Sequence, residues 1–258
     1  MPTVPSEHRA VAESFGVDAE RYDRARPRYP DALISRIVAA GPGSDLLDVG
    51  CGTGIAARQF QAAGCRVLGV DPDPRMAALA RRLGVDVEVA KIEEWDPAGR
   101  TFDTVVAAQA WHWVDAVAGA RAAARVLRAG GRLAVFWNAG QPAPAAAAAF
   151  AAVTARLVPE LPAYPDDAVS AYTAMADAAA DGLSRAGFAT PDRWRDDWRR
   201  DYTRDEWLDV LPTQGLFTRL PPDRLAALLD RTGAAIDALG GAFTMHYSAI
   251  TVTAQRRD

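Results

Sequence analysis

A chain of 258 residues, half of them apolar and 24% charged, has the composition of a globular protein with room for one large α/β domain and an elaboration. Its net charge of −4 and the lack of any basic run longer than two residues give no electrostatic footprint for nucleic acid. The two cysteines, Cys51 and Cys65, lack Cys-x-x-Cys or Cys/His spacing, which speaks against a zinc site or a structural disulfide and for a reducing compartment. No segment has the apolar core of a signal peptide or of a bilayer span. The expectation is a cytoplasmic protein with no membrane, nucleic-acid or metal partner.

The chain begins with an arm. Phe15, Tyr22 and Tyr29 lie among arginines, Pro27 and Pro30 interrupt a helix, and apolar helical spacing resumes at Leu33, Ile34, Ile37 and Val38. Gly41-Pro42-Gly43 turns into an apolar strand at Asp45–Val49, which ends in Gly50, Gly52 and Gly54 before a helix starting at Ile55. Glycines there admit positive φ and let a ligand rest on the backbone, while the helix points free N–H groups and its positive dipole end at that ligand. A dinucleotide site calls for a third glycine where this chain has Ile55. A second strand, residues 66–70, ends at Asp71, about 20 residues past the glycines, where an acid accepts from ribose hydroxyls. Asp73 reads as an N-cap and Pro74 as the first helical residue.

Period-two alternation marks a third strand at residues 85–89, and residues 101–108 form a fourth that runs into Gln109-Ala110-Trp111-His112-Trp113-Val114-Asp115. Asp115 suits the N-cap of a helix over 117–127. Residues 128–132 read as a tight turn, followed by a fifth strand at 133–138. The composition then shifts. Helices are expected over 143–152 and 169–186 with an irregular link at 159–167. An exposed alternating strand at 193–202 and a capping box, Thr203-x-x-Glu206, follow. A loop at 213–217, an amphipathic helix at 224–239 and a last strand at 242–254 complete the chain. Ligands bind off the carboxyl ends of such strands, so the site belongs to the segments after the first five.

The sequence Asp48-Val49-Gly50-Cys51-Gly52-Thr53-Gly54 resembles the first motif of the class I S-adenosylmethionine-dependent methyltransferases. Gln109-Ala110-Trp111-His112-Trp113 resembles a Gln-Ala-x-His-Trp signature of a small-molecule subgroup, and Arg26-Pro27-Arg28-Tyr29-Pro30 resembles that subgroup's entry arm. The resemblance covers residues 15–138. It implies a Rossmann-like, doubly wound α/β sheet of seven strands, mostly parallel with an antiparallel last strand, plus a helical cap. In that family the first acid, here Asp48, faces the cationic amino-acid end of the cofactor. Gly50, Gly52, Thr53, Gly54, Asp71, Pro72, Gln109 and Ala110 would line the cofactor, and Tyr22 and Arg26 would cover it from the arm. Met76 matches an adenine contact or a core methionine. Ile92 and Glu93 match the apolar residue and acid that hold adenine, although a charged surface turn reads the same way.

On the acceptor side the candidates are Tyr29, Trp111, Trp113, Trp137 and Asn138, with the two tryptophans of the signature split between wall and core. His112 is the candidate base or orienter, its intrinsic pKa suiting proton transfer near neutrality. The division expected is an arm over 1–40, a cofactor-binding core over 41–139, a substrate cap and sixth strand over 140–217, and a closing helix and strand over 218–258. The function implied is methyl transfer from S-adenosylmethionine, leaving S-adenosylhomocysteine, to a small-molecule acceptor at oxygen, by a monomer or homodimer. Nitrogen or carbon acceptors are the alternative, and a non-catalytic binding protein on the same fold is the rival from another class. An NAD-dependent oxidoreductase is disfavoured by Ile55, and a nucleic-acid methyltransferase by the charge.

Overall fold

The computed structural model describes residues 11, 14–161 and 168–257. Seven strands, β1 (Asp45–Val49), β2 (Arg66–Asp71), β3 (Asp86–Val89), β4 (Phe102–Ala108), β5 (Leu127–Pro142), β6 (Asp192–Thr203) and β7 (Ala242–Gln255), form one sheet in the order β3-β2-β1-β4-β5-β7-β6. The first five pair in parallel, and β7 runs antiparallel between β5 and β6. This is the seven-stranded, mostly parallel sheet that the sequence implied. Buried on both faces, the inner strands read as near-continuous apolar runs, and Leu47, Val105, Val106, Leu133, Val135 and Phe136 are fully buried.

Helices cover both faces: α1 (Ala19–Ala25), α2 (Asp31–Ala40), α3 (Ile55–Ala62), α4 (Pro74–Arg82), α5 (Ala116–Val126), α6 (Pro144–Leu157), α7 (Ala168–Arg185), α8 (Arg204–Val210) and α9 (Pro222–Ala238). The caps expected from the sequence form. Asp73 accepts from the Arg75 amide at 2.8 Å, and Asp115 accepts from Val117 and Ala118 at 3.1 and 2.8 Å. Thr203 and Glu206 close a reciprocal capping box. One aromatic core sits apart from the two sheet faces, where Phe150, Tyr202, Trp207, Phe217 and Phe243 pack under α6, α8 and α9.

The turn expected at residues 128–132 is instead part of β5. Leu127 already pairs with Phe102, and the register shifts before Thr104 meets Arg132. Gly130, at φ 74°, takes up the extra residues as a bulge, so the Gly-Gly signal marks an irregularity inside a strand rather than its start. Residues 162–167 of the expected link, and 1–10 with 12–13 of the arm, lie outside the described residues. No helix among the described residues is long and apolar enough to cross a membrane.

Candidate active site

The carboxyl ends of β1 and β2 meet at a tightly constrained loop. Gly50, Gly52 and Gly54 all have positive φ, at 65°, 57° and 83°, which non-glycine residues adopt rarely. A Cβ on Gly50 would stand 2.5 Å from the Ala110 Cβ, so the loop lies directly on the segment after β4. Asp71 fastens the loop from the other side. One of its oxygens accepts from the Gly52 amide at 2.7 Å and the other from the Asp73 amide at 2.8 Å. Burial raises the Asp71 pKa to about 6, against the pull of those two amides.

Asp48 differs. It is fully buried at the end of β1, and neither carboxylate oxygen has a hydrogen-bond partner. Burial, then the neighbouring charge of Asp71, push its pKa up to about 8; the Ala57 amide lies near enough to oppose that shift but does not reach hydrogen-bond geometry. The Thr53 hydroxyl is likewise buried and unpartnered. An orphaned carboxylate in a glycine-walled cradle fits a ligand that brings a cation, and S-adenosylmethionine carries an ammonium and a sulfonium.

Around this cradle the sequence-predicted residues take distinct places. Met76 is buried, its Cε 3.5 Å from where a Gly52 Cβ would stand. Ile92 is buried, and Glu93 accepts from the Asp115 amide at 3.1 Å, tying the segment after β3 to the head of α5. Pro72 is exposed. Gln109 adopts φ 56°, a strained conformation for a residue with a side chain. It is held there by its amide on Phe136 O at 2.9 Å and by its Nε2 on Asn138 O at 3.1 Å. The end of β4 is thereby locked to β5, which continues in the sheet beyond it.

The other side of the cleft is aromatic. Trp111 is buried and stands beside Gly119 of α5, whereas Trp113 is half-buried and meets Phe15 of the arm edge-on at 6.2 Å. Trp137 is fully buried and donates its indole N–H to His112 Nδ1 at 3.2 Å. Indole nitrogen donates only, so the neutral His112 ring carries its proton on Nε2. The Arg26 guanidinium lies 5.0 Å from the Tyr22 ring and donates Nη2 to Thr213 O. Tyr29 is buried edge-on against Phe136 at 4.8 Å, and burial pushes its phenol well above the ordinary value. Its backbone N–H and C=O are both taken by the Gln59 side chain, at 3.0 and 2.8 Å. Asn138 donates to Arg28 O and accepts from Trp198 Nε1, each at 3.3 Å.

Several residues of this chamber escape a reading of the sequence. Tyr172 on α7 is hydrogen-bonded to the Gln109 side chain, and the Arg26 charge lowers the phenol pKa values of Tyr29, Tyr172, Tyr202 and Tyr247 against the effect of burial. The hydroxyls of Tyr202 and Tyr247 meet at 2.8 Å. Arg58 bonds Thr53 O and Asp23, each at 2.7 Å, and so joins the glycine loop to the arm. A lone tyrosine in an alanine-rich helix and an arginine one turn into α3 were the available signals, and neither is specific without the fold.

Residues 47–135 match the family described as methyltransferase domain. Over 135 residues the chain is 38% identical to an uncharacterized methyltransferase of Mycobacterium tuberculosis, covering 50% of this chain and 54% of that one. It is 34% identical over 128 residues to a ubiquinone biosynthesis O-methyltransferase of Methylocella silvestris, covering 47% and 46%. The chain thus spans about half the length of these curated relatives. A solved structure provisionally assigned as a type II methyltransferase, from Anaeromyxobacter dehalogenans, superposes with a TM-score of 0.58 at 26% identity, covering 90% of this chain and 98% of that one. Residues 47–135 thus carry a methyltransferase domain, and the chain as a whole is similar in fold to a solved methyltransferase.

Proposed function

We propose that the protein is a cytoplasmic enzyme that binds S-adenosylmethionine in the cleft above β1, β2 and β4 and transfers its methyl group to an oxygen of a small molecule. The observation that carries the reading is the buried, unpartnered carboxylate of Asp48 at the head of a glycine loop. Asp48 would pair with the cofactor's ammonium, and Asp71 would accept from its ribose while keeping its two backbone bonds. Glu93 and Ile92 would meet the adenine. When bound, the cofactor supplies a methyl carbon already activated by the sulfonium, so the chain's own work is placement and exclusion of water.

Phe15, Tyr22 and Arg26 on the arm would cover the cleft, and residues 140–217 would cap the acceptor. An oxygen acceptor is supported by the ubiquinone O-methyltransferase among the relatives. His112 serves as an orienter in this reading. Its Nδ1 accepts from Trp137, so the basic nitrogen is already engaged and the ring holds the wall of the cleft rather than removing a proton.

The test is calorimetric titration with S-adenosylmethionine, S-adenosylhomocysteine and NAD, on the wild type and on Asp48→Asn. Micromolar binding of both adenosyl compounds, none of NAD, and a loss of about tenfold or more in the variant are expected. Absence of adenosyl binding to the wild type would leave a non-catalytic protein on a methyltransferase fold. For His112, an orienter predicts that kcat lacks an ascending limb in the imidazole range, whereas a base would produce one.

A further inference from the structure

Beside the cofactor cradle, a cavity of about 490 Å³ opens between the arm, the first turn of α3 and β6, a volume suited to a small metabolite. Its walls carry Arg24, Arg26, Arg28, Arg58 and Arg200, with Tyr29 and Trp198 as aromatic panels and Asp23 as the acid. Some of these arginines have structural work that accounts for them. Arg24 pairs with Asp209 through two bonds of 2.7 and 2.9 Å, and Arg58 pairs with Asp23. Both fasten the arm. Arg200 reaches Glu206 at only 3.3 Å while its guanidinium lies over the Tyr202 ring at 4.4 Å.

Among the described residues, Arg26 and Arg28 have no acidic partner, and the buried Nε of Arg26 has no partner at all. A buried N–H left unmade costs stability. Arg28, which has neither an acid nor a stacking partner among the described residues, stands on the same wall. The cavity is also tied to the site of chemistry. Arg58 holds Thr53 O of the glycine loop, and Trp198 Nε1 and Arg28 O both meet Asn138, on β5 just past the end of its pairing with β4.

We infer that this cavity is the acceptor pocket and that it takes a small organic oxyanion, a polycarboxylate or a phosphate ester, held by Arg28 and Arg200 with Trp198 against its carbon skeleton. This rests on the methyltransferase reading and adds to it the class of acceptor. Guanidinium groups match the planar and tetrahedral oxygens of carboxylate and phosphate with paired N–H donors. An oxygen of the bound acceptor forms the new bond to the methyl carbon as the carbon–sulfur bond breaks and its electron pair stays on sulfur. A carboxylate acceptor becomes a methyl ester and releases no proton, because it is already ionised at neutral pH, so no base is required.

The experiment is calorimetry at about 0.15 M salt, where screening reaches about 8 Å, with and without saturating S-adenosylhomocysteine. The probes are tricarballylate, its uncharged trimethyl ester and glycerol 3-phosphate. The variants are Arg28→Ala and Arg200→Gln. Binding of tricarballylate or of glycerol 3-phosphate, about tenfold or more weaker in each variant while S-adenosylhomocysteine affinity stays within about twofold, supports the inference and tells carboxylate from phosphate. Retained S-adenosylhomocysteine affinity also reports that each variant is folded. Equal binding of acid and ester, anion affinity indifferent to both variants, or no binding of either anion overturns the inference. Failure of S-adenosylhomocysteine to bind the wild type sinks the methyltransferase reading instead, and the titration without it still reports whether the cavity holds an anion.

Discussion

The two halves of the cleft are built by different means. On the side of β1, β2 and β4, the site is mostly backbone: three left-handed glycines, amides bonded to Asp71, and Ala110 pressed on Gly50. On the side of β5, β7 and β6, it is mostly side chains, brought from the arm, α3, α7 and β6, with Arg26, Asn138 and Tyr172 at their meeting points. A backbone site fixes one ligand shape and tolerates little change. A side-chain site can be re-cut one residue at a time, which suits a common cofactor facing a variable acceptor.

The largest effect should come from breaking the backbone half. Gly50→Ala puts a Cβ at φ 65° and 2.5 Å from Ala110. It should cost about 2–3 kcal/mol of stability, and S-adenosylhomocysteine affinity should fall about a hundredfold by calorimetry. Gly84→Ala is the control. Its φ is also positive, 89°, but nothing lies within 4 Å of the added carbon, so it should lose about 1 kcal/mol and bind normally.

Next is the acid that the backbone half leaves unpaired. Asp48 titrates at about 8 in the fold against an ordinary 3.8, so between those values the folded state holds one proton more than the unfolded chain. Stability of the free protein should therefore fall as pH rises from about 4 to about 8, Asp48 alone contributing about 1.4 kcal/mol per pH unit at most. Asp71, at about 6, steepens the lower part of that window. Thermal unfolding across the range should show the decline, and Asp48→Asn should flatten its upper half. A wild type equally stable at both ends would contradict it.

The smallest effect lies where the two halves meet. Asn138→Ala removes two bonds of 3.3 Å, to Arg28 O and from Trp198. A loss of about 1–2 kcal/mol is expected in denaturant unfolding, with acceptor turnover reduced and S-adenosylhomocysteine affinity unchanged. A matching loss of cofactor affinity would mean that the halves are not separable.

The same division governs what the sequence discloses. The backbone half is written locally. Asp48, the spaced glycines, Asp71 and the Asp73-Pro74 cap fall in one stretch because a strand, a turn and a helix are continuous chain, and their order fixes where each group points. The side-chain half is assembled from segments more than a hundred residues apart. Arg58 was visible only as one turn of a helix, and Trp198 and Arg200 only as alternate positions of an exposed strand, because their meeting is set by the β6–β7 register. The Gly130-Gly131 pair misled for the opposite reason. A local turn signal was absorbed by strand pairing that begins at Leu127.

The open borders of the sheet are also unequal. β3 ends it with four residues, but β6 leaves twelve along the other border, the length at which an unpaired ladder invites a second chain to add to it. β6 turns Trp194, Trp198 and Tyr202 inward and sets Arg193, Arg195, Asp197, Arg199 and Asp201 outward. The arrangement that lines a pocket on one face is thus a guard against aggregation on the other, since a chain aligning there must strip water from a charge at every second residue.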